Sequence, residues 1–173
     1  MSDEELMDLV ICGDETAFAE LYNRHQKPVA AYLWRLCGDG ELAADAVSET
    51  FVRVWRRAKS FRPQKGTFRT WLLTIAANSL RTLWRKQGRP MDSIPHDLPD
   101  PSSETEEQRV GSVALRSVLH ELSHEHKQAI SLRFFSGLSY QEMAKLQKVP
   151  VATARTRVFY ALKRLKRLLE VVP

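Results

Sequence analysis

A chain of 173 residues with 43% apolar side chains can bury one or two small cores and little more. The acidic start, MSDEELMDLV, is unlike a secretory leader, and no apolar run reaches the roughly 18 residues of a membrane span. Two cysteines, Cys12 and Cys37, are too few for a disulfide framework, so a cytoplasmic chain with both thiols reduced in its core and no membrane insertion is expected.

Apolar periodicity near 3.6 runs through most of the chain and strand signals are nearly absent, which predicts an all-α protein. The first helices are expected at 3–12, 14–37 (bent at Pro28, which removes a backbone donor), 40–59 and 67–87. On helix 40–59, Ala43, Val47, Thr50, Phe51 and Val54 make the core stripe. Asp45, Ser48, Glu49, Val52 and Arg56 share the opposite side, where one apolar residue among charges suits a protein-docking surface. On helix 67–87, Leu72, Ile75, Ala76, Ser79, Leu80 and Leu83 repeat at three- and four-residue steps.

Net charge is +5, but its distribution carries the information: residues 53–89 hold eleven Lys or Arg and no acid, and residues 91–107 hold six acids and no Lys or Arg. Solvated helices mix signs, so a 37-residue block without acid points to an anionic partner. Within it Arg53, Arg56, Arg62, Lys65, Arg81 and Arg85 alternate with Trp55, Phe61, Phe68, Trp71 and Trp84. Cations follow phosphates and aromatic faces stack on bases, and bases are available only in single strands or when flipped out. Trp55 and Trp71 are expected in the core. Phe61, in the turn SFRPQKG between two helices, is expected at the surface.

The stretch GRPMDSIPHDLPDPSSETEE has the composition of a flexible linker. Ser103 and Glu106, spaced as a capping box, are expected to restart the helix, with further helices at 104–121, 124–135, 139–147 and 151–170. Ser139 and Glu142 repeat that spacing, and Pro150 separates two helices. The second has Ala154, Val158, Ala161, Leu162, Leu165 and Leu168 or Leu169 on its apolar face. Its other face carries Thr153, Thr156, Arg157, Tyr160, Lys163, Arg164 and Arg167. A short helix, a tight turn and a longer basic helix form the helix-turn-helix pattern, with Arg155, Thr156 and Arg157 placed for base edges and Lys163, Arg164 and Arg167 for phosphates. The turn offers Lys148 where glycine commonly supplies positive φ. The expected architecture is two small helical domains, 1–88 and 108–173, the second a helix-turn-helix, joined by a flexible acidic linker at 89–107.

No metal-ligand cluster and no glycine-rich phosphate loop is present, and the five histidines form no nucleophile–base arrangement. Neither enzymatic activity nor a metal or cofactor is expected.

Four segments in order, AFAELYNRH, ADAVSETFVRVWRR, SFRPQKGTFRTWLLTIAAN and LRFFSGLSYQEMAKLQKVPVATARTRV, resemble bacterial RNA polymerase sigma factors of the extracytoplasmic-function (ECF) group. The resemblance spans about residues 15 to 169. It implies a first domain that docks on the β′ clamp helices of core RNA polymerase and captures the melted minus-ten strand. It implies a second domain that sits on the β flap and reads the minus-thirty-five promoter duplex. By position, Asp45, Ser48, Glu49 and Arg53 fall in the core-docking helix. Phe61, Arg62, Gln64, Lys65 and Asn78 fall where a flipped minus-ten base is held. Arg133 and Tyr140 match positions that contact the DNA backbone, and Arg155, Thr156, Phe159 and Tyr160 match positions near bases. An anti-sigma partner is implied on the same ground. The chain departs from the pattern at Leu42, Ala46 and Ser48 of the docking helix, at Gln147-Lys148 and Ala152 of the turn, and at Tyr160 and Leu162, where Arg is common. The alternative is a stand-alone helix-turn-helix regulator that binds duplex DNA without polymerase; it accounts for the C-terminal half but not for the acid-free block.

Overall fold

The computed structural model describes residues 1–88 and 117–171, and every regular element among them is helical. Four helices form the N-terminal half: α1 (Asp3–Ile11), α2 (Glu15–Cys37), α3 (Gly40–Arg56) and α4 (Phe68–Lys86). After a helical turn at 117–120 come α5 (His124–Ile130), α6 (Tyr140–Gln147) and α7 (Val151–Val171). The expected helix start at 104 and the Ser103/Glu106 capping box lie outside the described residues.

Local chemistry sets the boundaries. Asp14 caps α2, accepting from the Ala17 amide at 3.0 Å, and the helix continues through Pro28. It stops at Gly38, whose φ of 65° L side chains avoid, and Asp39 at once caps α3 by accepting from the Glu41 and Leu42 amides. Helix α3 ends three residues earlier than periodicity implied, because the chain tightens into a 3-10 turn at Ala58–Ser60 and a second at Pro63–Lys65.

The first turn of α4 contains no acid. A distant one is supplied instead: Glu4 Oε1 of α1 accepts from the Phe68 amide at 3.1 Å, so a carboxylate faces the positive end of the α4 dipole. Glu4→Ala is expected to lower stability by about 1 kcal/mol, read as a shift in the urea midpoint.

In the C-terminal half the Ser139/Glu142 capping box forms in both directions. Helix α5 widens at its end, where the Ser136 amide bonds the Ser131 carbonyl at 2.8 Å over a π-helical stretch, Ser131–Phe135. Helix α6 closes with a Schellman motif: the Lys148 amide bonds the Lys145 carbonyl and the Val149 amide bonds the Ala144 carbonyl. Its left-handed position is Lys148, at φ 55° and ψ 47°, so this side chain carries the strain that glycine would avoid. Lys148→Gly is expected to stabilise by about 0.5 to 1 kcal/mol, a left-handed cost of about 1 to 2 kcal/mol less the extra chain entropy glycine loses, checked by thermal melting.

The inward stripes of α3 and α4 are buried as the periodicity requires, apart from half-buried Leu83, and Trp84 joins them. Three expectations are corrected. Cys12 is exposed, and only Cys37 belongs to the core. Its thiol donates to the Asp39 carbonyl at 3.3 Å, and burial pushes its pKa up to about 11. Trp55 is 39% exposed, with its ring meeting Phe18 of α2 edge-on at 5.2 Å rather than lying beneath the helices. Leu162 faces solvent, while Leu165 and Leu168, rather than Leu169, pack partly buried against the core beyond Ala154, Val158 and Ala161.

The two halves pack against each other. Helix α5 lies on the C-terminal part of α2, and α6 lies beside α4, so the apolar cores of the halves run together. At the seam Gln128 Nε2 donates to the Tyr32 hydroxyl at 3.3 Å, both residues being buried. Burial raises the Tyr32 phenol to a pKa of about 12. Ring pairs Trp34–His120 and Trp84–His124, at 5.9 and 5.8 Å, cross the same seam, and the Arg35 guanidinium sits 4.4 Å above the Phe135 ring.

Candidate nucleic-acid and polymerase interfaces

Helix α3 turns its expected docking residues outward. Asp45, Ser48 and Arg56 are exposed, and Glu49 accepts from Arg53 Nε at 2.7 Å one turn away. Such a half-exposed pair is worth about 0.3 to 0.5 kcal/mol, so it orients both side chains more than it stabilises the helix. Val52 is 43% exposed, and Trp55, three residues on, continues the same apolar strip. The strip is steadied from beneath, with Phe18 meeting Trp55 edge-on at 5.2 Å and Tyr22 meeting Phe51 at 4.8 Å. Trp55 and Tyr22 were not singled out for this surface from sequence. The i, i+3 spacing from Val52 was the available signal for Trp55, and only tertiary packing brings Tyr22 alongside.

The loop between α3 and α4 overturns one expectation. Phe61 is 2% exposed, packed against Phe68 at 6.0 Å and Trp71 at 5.3 Å. Two 3-10 turns draw the chain back across the start of α4, where those rings offer an apolar seat, and Phe61 takes it. The side chains around Phe61 do face solvent. Arg62, Gln64 and Lys65 are exposed, and Arg62 Nη1 folds back to the carbonyls of Lys59 and Phe61 at 2.7 and 2.9 Å. Asn78 lies ten positions beyond Phe68, roughly 15 Å along the helix axis, so it does not join the loop in a single small pocket. It is half-buried, and its Oδ1 accepts from Arg81 Nη1 at 3.3 Å; Arg85, one turn on, is exposed.

On α7, Arg155, Thr156, Phe159 and Tyr160 share one exposed face, with Phe159 62% and Tyr160 52% accessible and their rings edge-to-face at 5.4 Å. The Thr156 hydroxyl donates to the Ala152 carbonyl at 2.8 Å, which presents its methyl outward. Arg164 continues the exposed basic side. Thr153 is half-buried at its margin. Arg157 turns away from this face and pairs with Glu125 at 3.5 Å. Tyr140, at the start of α6, lies between two guanidinium groups, Arg133 at 4.7 Å and Arg155 at 5.5 Å from its ring centre. Arg133 is held in turn by the Leu138 carbonyl at 3.0 Å. This stack links the turn before α6 to the exposed face of α7.

Two family descriptions match the chain: Sigma-70 region 2 over residues 21–90, and Sigma-70, region 4, over residues 112–165. Over 93% of its length the chain is 32% identical to the ECF RNA polymerase sigma-E factor of Haemophilus influenzae, covering 92% of that protein. It is 31% identical to the ECF RNA polymerase sigma-E factor of Escherichia coli K12, with 93% and 91% of the two chains covered.

The chain belongs to the ECF RNA polymerase sigma factors.

The described structure of this sigma factor is similar to that of the sigma factor RpoE in complex with the anti-sigma factor NepR from Bartonella quintana, with TM-score 0.72, 25% identity, and 90% and 98% of the two chains covered. It also matches the fold of CnrH, solved in complex with the cytosolic domain of CnrY, with TM-score 0.77, 24% identity and 99% of both chains covered. As a sigma factor the protein binds core polymerase, directs it to promoters and assists melting in transcription initiation. The stand-alone regulator is set aside, because the sigma-70 match includes the N-terminal half as well as the helix-turn-helix. Among the described residues no helix is long and apolar enough to cross a membrane, and no group of three or more His, Cys, Asp or Glu is placed to hold a metal ion.

Proposed function

We propose that this cytoplasmic sigma factor divides initiation among three surfaces. The outward side of α3, with Asp45, Ser48, Glu49, Val52, Arg53 and Arg56, docks on the β′ clamp helices. The α3–α4 loop and α4 hold the melted minus-ten strand through Arg62, Gln64, Lys65, Asn78, Arg81 and Arg85, with Phe61 acting from beneath as the plug that shapes the loop. The α6–α7 unit sits on the β flap and reads the minus-thirty-five duplex: Arg155, Thr156, Phe159, Tyr160 and Thr153 lie toward bases, Arg133, Tyr140 and Arg164 toward the backbone, and Arg157 joins the backbone contacts only once it leaves Glu125. Residues 1–88 and 108–173 are the two functional units and 89–107 their tether. An anti-sigma protein that covers the α3 strip keeps the factor silent.

The observation that carries this reading is the unpaired charge along α4 and its loop. Arg62, Lys65, Arg69 and Arg85 are exposed, and none has an acidic partner among the described residues. Cations left without local counter-ions favour a polyanion, and they lie beside the loop and helix that sigma-70 region 2 covers. Exposed aromatic rings on the α7 face add apolar surface suited to thymine methyl groups.

Run-off transcription with core polymerase on a promoter library is the test. Specific transcripts are expected only when protein and core are combined, with weak promoter binding by the protein alone. A strong duplex footprint without core, and no promoter-dependent transcript with it, would overturn the assignment.

A further inference from the structure

Where the two halves meet they form a partly open cleft of about 540 Å³, within the size range of small-molecule sites. Its chemistry is polar and cationic. Arg81 enters from α4, Lys148 from the end of α6 and Arg157 from α7. Among the described lining residues the only acid is Glu125, which Arg157 already engages at 3.5 Å. Three fixed cations against one carboxylate leave two positive charges in excess, drawn together from three separate elements. Packing like charges into a shared cavity is unfavourable unless an anion joins them.

The walls offer more than charge. The Asn78 amide lines the cavity next to Arg81. Gln147, also on the wall, has a buried Oε1 with no hydrogen-bond partner, while its Nε2 reaches the Oε1 of buried Gln128 at 3.5 Å. A buried acceptor without a donor is costly and calls for an N–H or O–H from a ligand or a water. Amide groups that can meet a base edge or a sugar hydroxyl, beside guanidinium and ammonium groups that can meet phosphates, are the combination a nucleotide requires.

We propose that this cleft binds a nucleoside polyphosphate, with Arg81, Lys148 and Arg157 on the phosphates and Asn78 and Gln147 on the nucleoside. Each of the two halves supplies part of the site, so the bound nucleotide holds them together. It occupies Asn78 and Arg81, assigned above to the minus-ten strand, and Arg157, assigned to the duplex. A nucleotide that binds only the packed form multiplies the equilibrium toward that form by one plus its concentration over its dissociation constant, and so opposes promoter engagement. This last consequence rests on the proposed function; the binding itself does not.

The test uses the full-length protein without polymerase or promoter, so its outcome is independent of the transcription assay. Isothermal titration is carried out at physiological ionic strength with each of the four ribonucleoside triphosphates, and with inorganic tripolyphosphate as a charge-only comparator. One-to-one binding of at least one nucleotide is expected, with tripolyphosphate roughly tenfold weaker or worse. Arg81→Ala and Lys148→Gly are each expected to weaken the nucleotide about tenfold. Lys148→Gly removes a cation while relieving backbone strain, so a loss of binding in a variant that melts no lower than the parent cannot come from unfolding. The proposal is overturned by absence of binding, by equal affinity for tripolyphosphate and the nucleotides, or by unchanged affinity in Lys148→Gly.

Discussion

Phe61→Ala will unfold or severely loosen the N-terminal half before it reveals anything about promoter DNA. The ring is 2% exposed and fills the space between Phe68 and Trp71, so truncation removes apolar burial and leaves a cavity in a small core. Losses of about 3 to 5 kcal/mol are typical of such a change, which is a large part of the stability of a domain this size. Urea denaturation should therefore show a much lower midpoint, and core binding and open-complex formation should fall together. Phe61→Leu retains most of the volume and is expected to cost about 1 kcal/mol, with core binding preserved. If Phe61→Ala instead kept its midpoint and lost only open complexes, the ring would have to leave its seat to meet DNA. The exposed neighbours Arg62, Gln64 and Lys65 are the better probes of the strand, because changing them alters the surface without opening the core.

Trp55→Ala is expected to weaken core polymerase binding by about 2 kcal/mol, near thirtyfold, measured by titrating labelled protein with core. Large aromatics that are part exposed in the free protein and become fully covered in a complex dominate interface energetics. Trp55, at 39% exposure beside Val52 at 43%, is the largest such group on the α3 side. Losing its edge contact with Phe18 should cost about 1 kcal/mol of stability at most, so a melting curve separates the two effects. Val52→Asp should act in the same direction by placing a charge in the strip with little effect on the fold. A change in core affinity below about threefold for both variants would place docking elsewhere on the chain.

These residues also show what the sequence could and could not reveal. Helix periodicity identified the buried faces of α3 and α4 because each requires a regular repeat that only local geometry governs. The Ser139/Glu142 box and the turn at Lys148 were legible for the same reason: both are contacts within a few residues. Phe61 was not legible, because its burial depends on how two 3-10 turns fold over a helix that begins seven residues later. Trp55 was misplaced in the core because composition indicates that aromatics are buried, while its exposure is decided by the spacing of α2 and α3. Leu162 lies at the margin of the apolar side of α7 and is exposed, although Leu165 and Leu168 farther along pack partly buried against the core. For the nucleic-acid surfaces, residue type and charge blocks were enough to locate Arg155, Thr156, Phe159 and Tyr160 on one face. Nothing local indicated that Arg157 would turn toward Glu125, or that Asn78 and Arg81 would look onto α5 and α6. Those placements follow from the packing of one half on the other.

The hydrogen bond from Gln128 to Tyr32 has a consequence for how readily that packing is undone. A seam closed entirely by leucines would resist parting, since every exposed methylene would meet water at a cost. A phenol and an amide lose little on separation, because water replaces each of them as a partner. Around it the apolar cores of the halves still run together, so this pair lowers the cost of opening at one point only, and the phenol reports on its own state. In the joined molecule Tyr32 ionises only near pH 12, whereas a solvated tyrosine does so near pH 10. The chain has four tyrosines, so the difference in phenolate absorbance between the parent and Tyr32→Phe across those two values follows how far the Tyr32 ring is open to water.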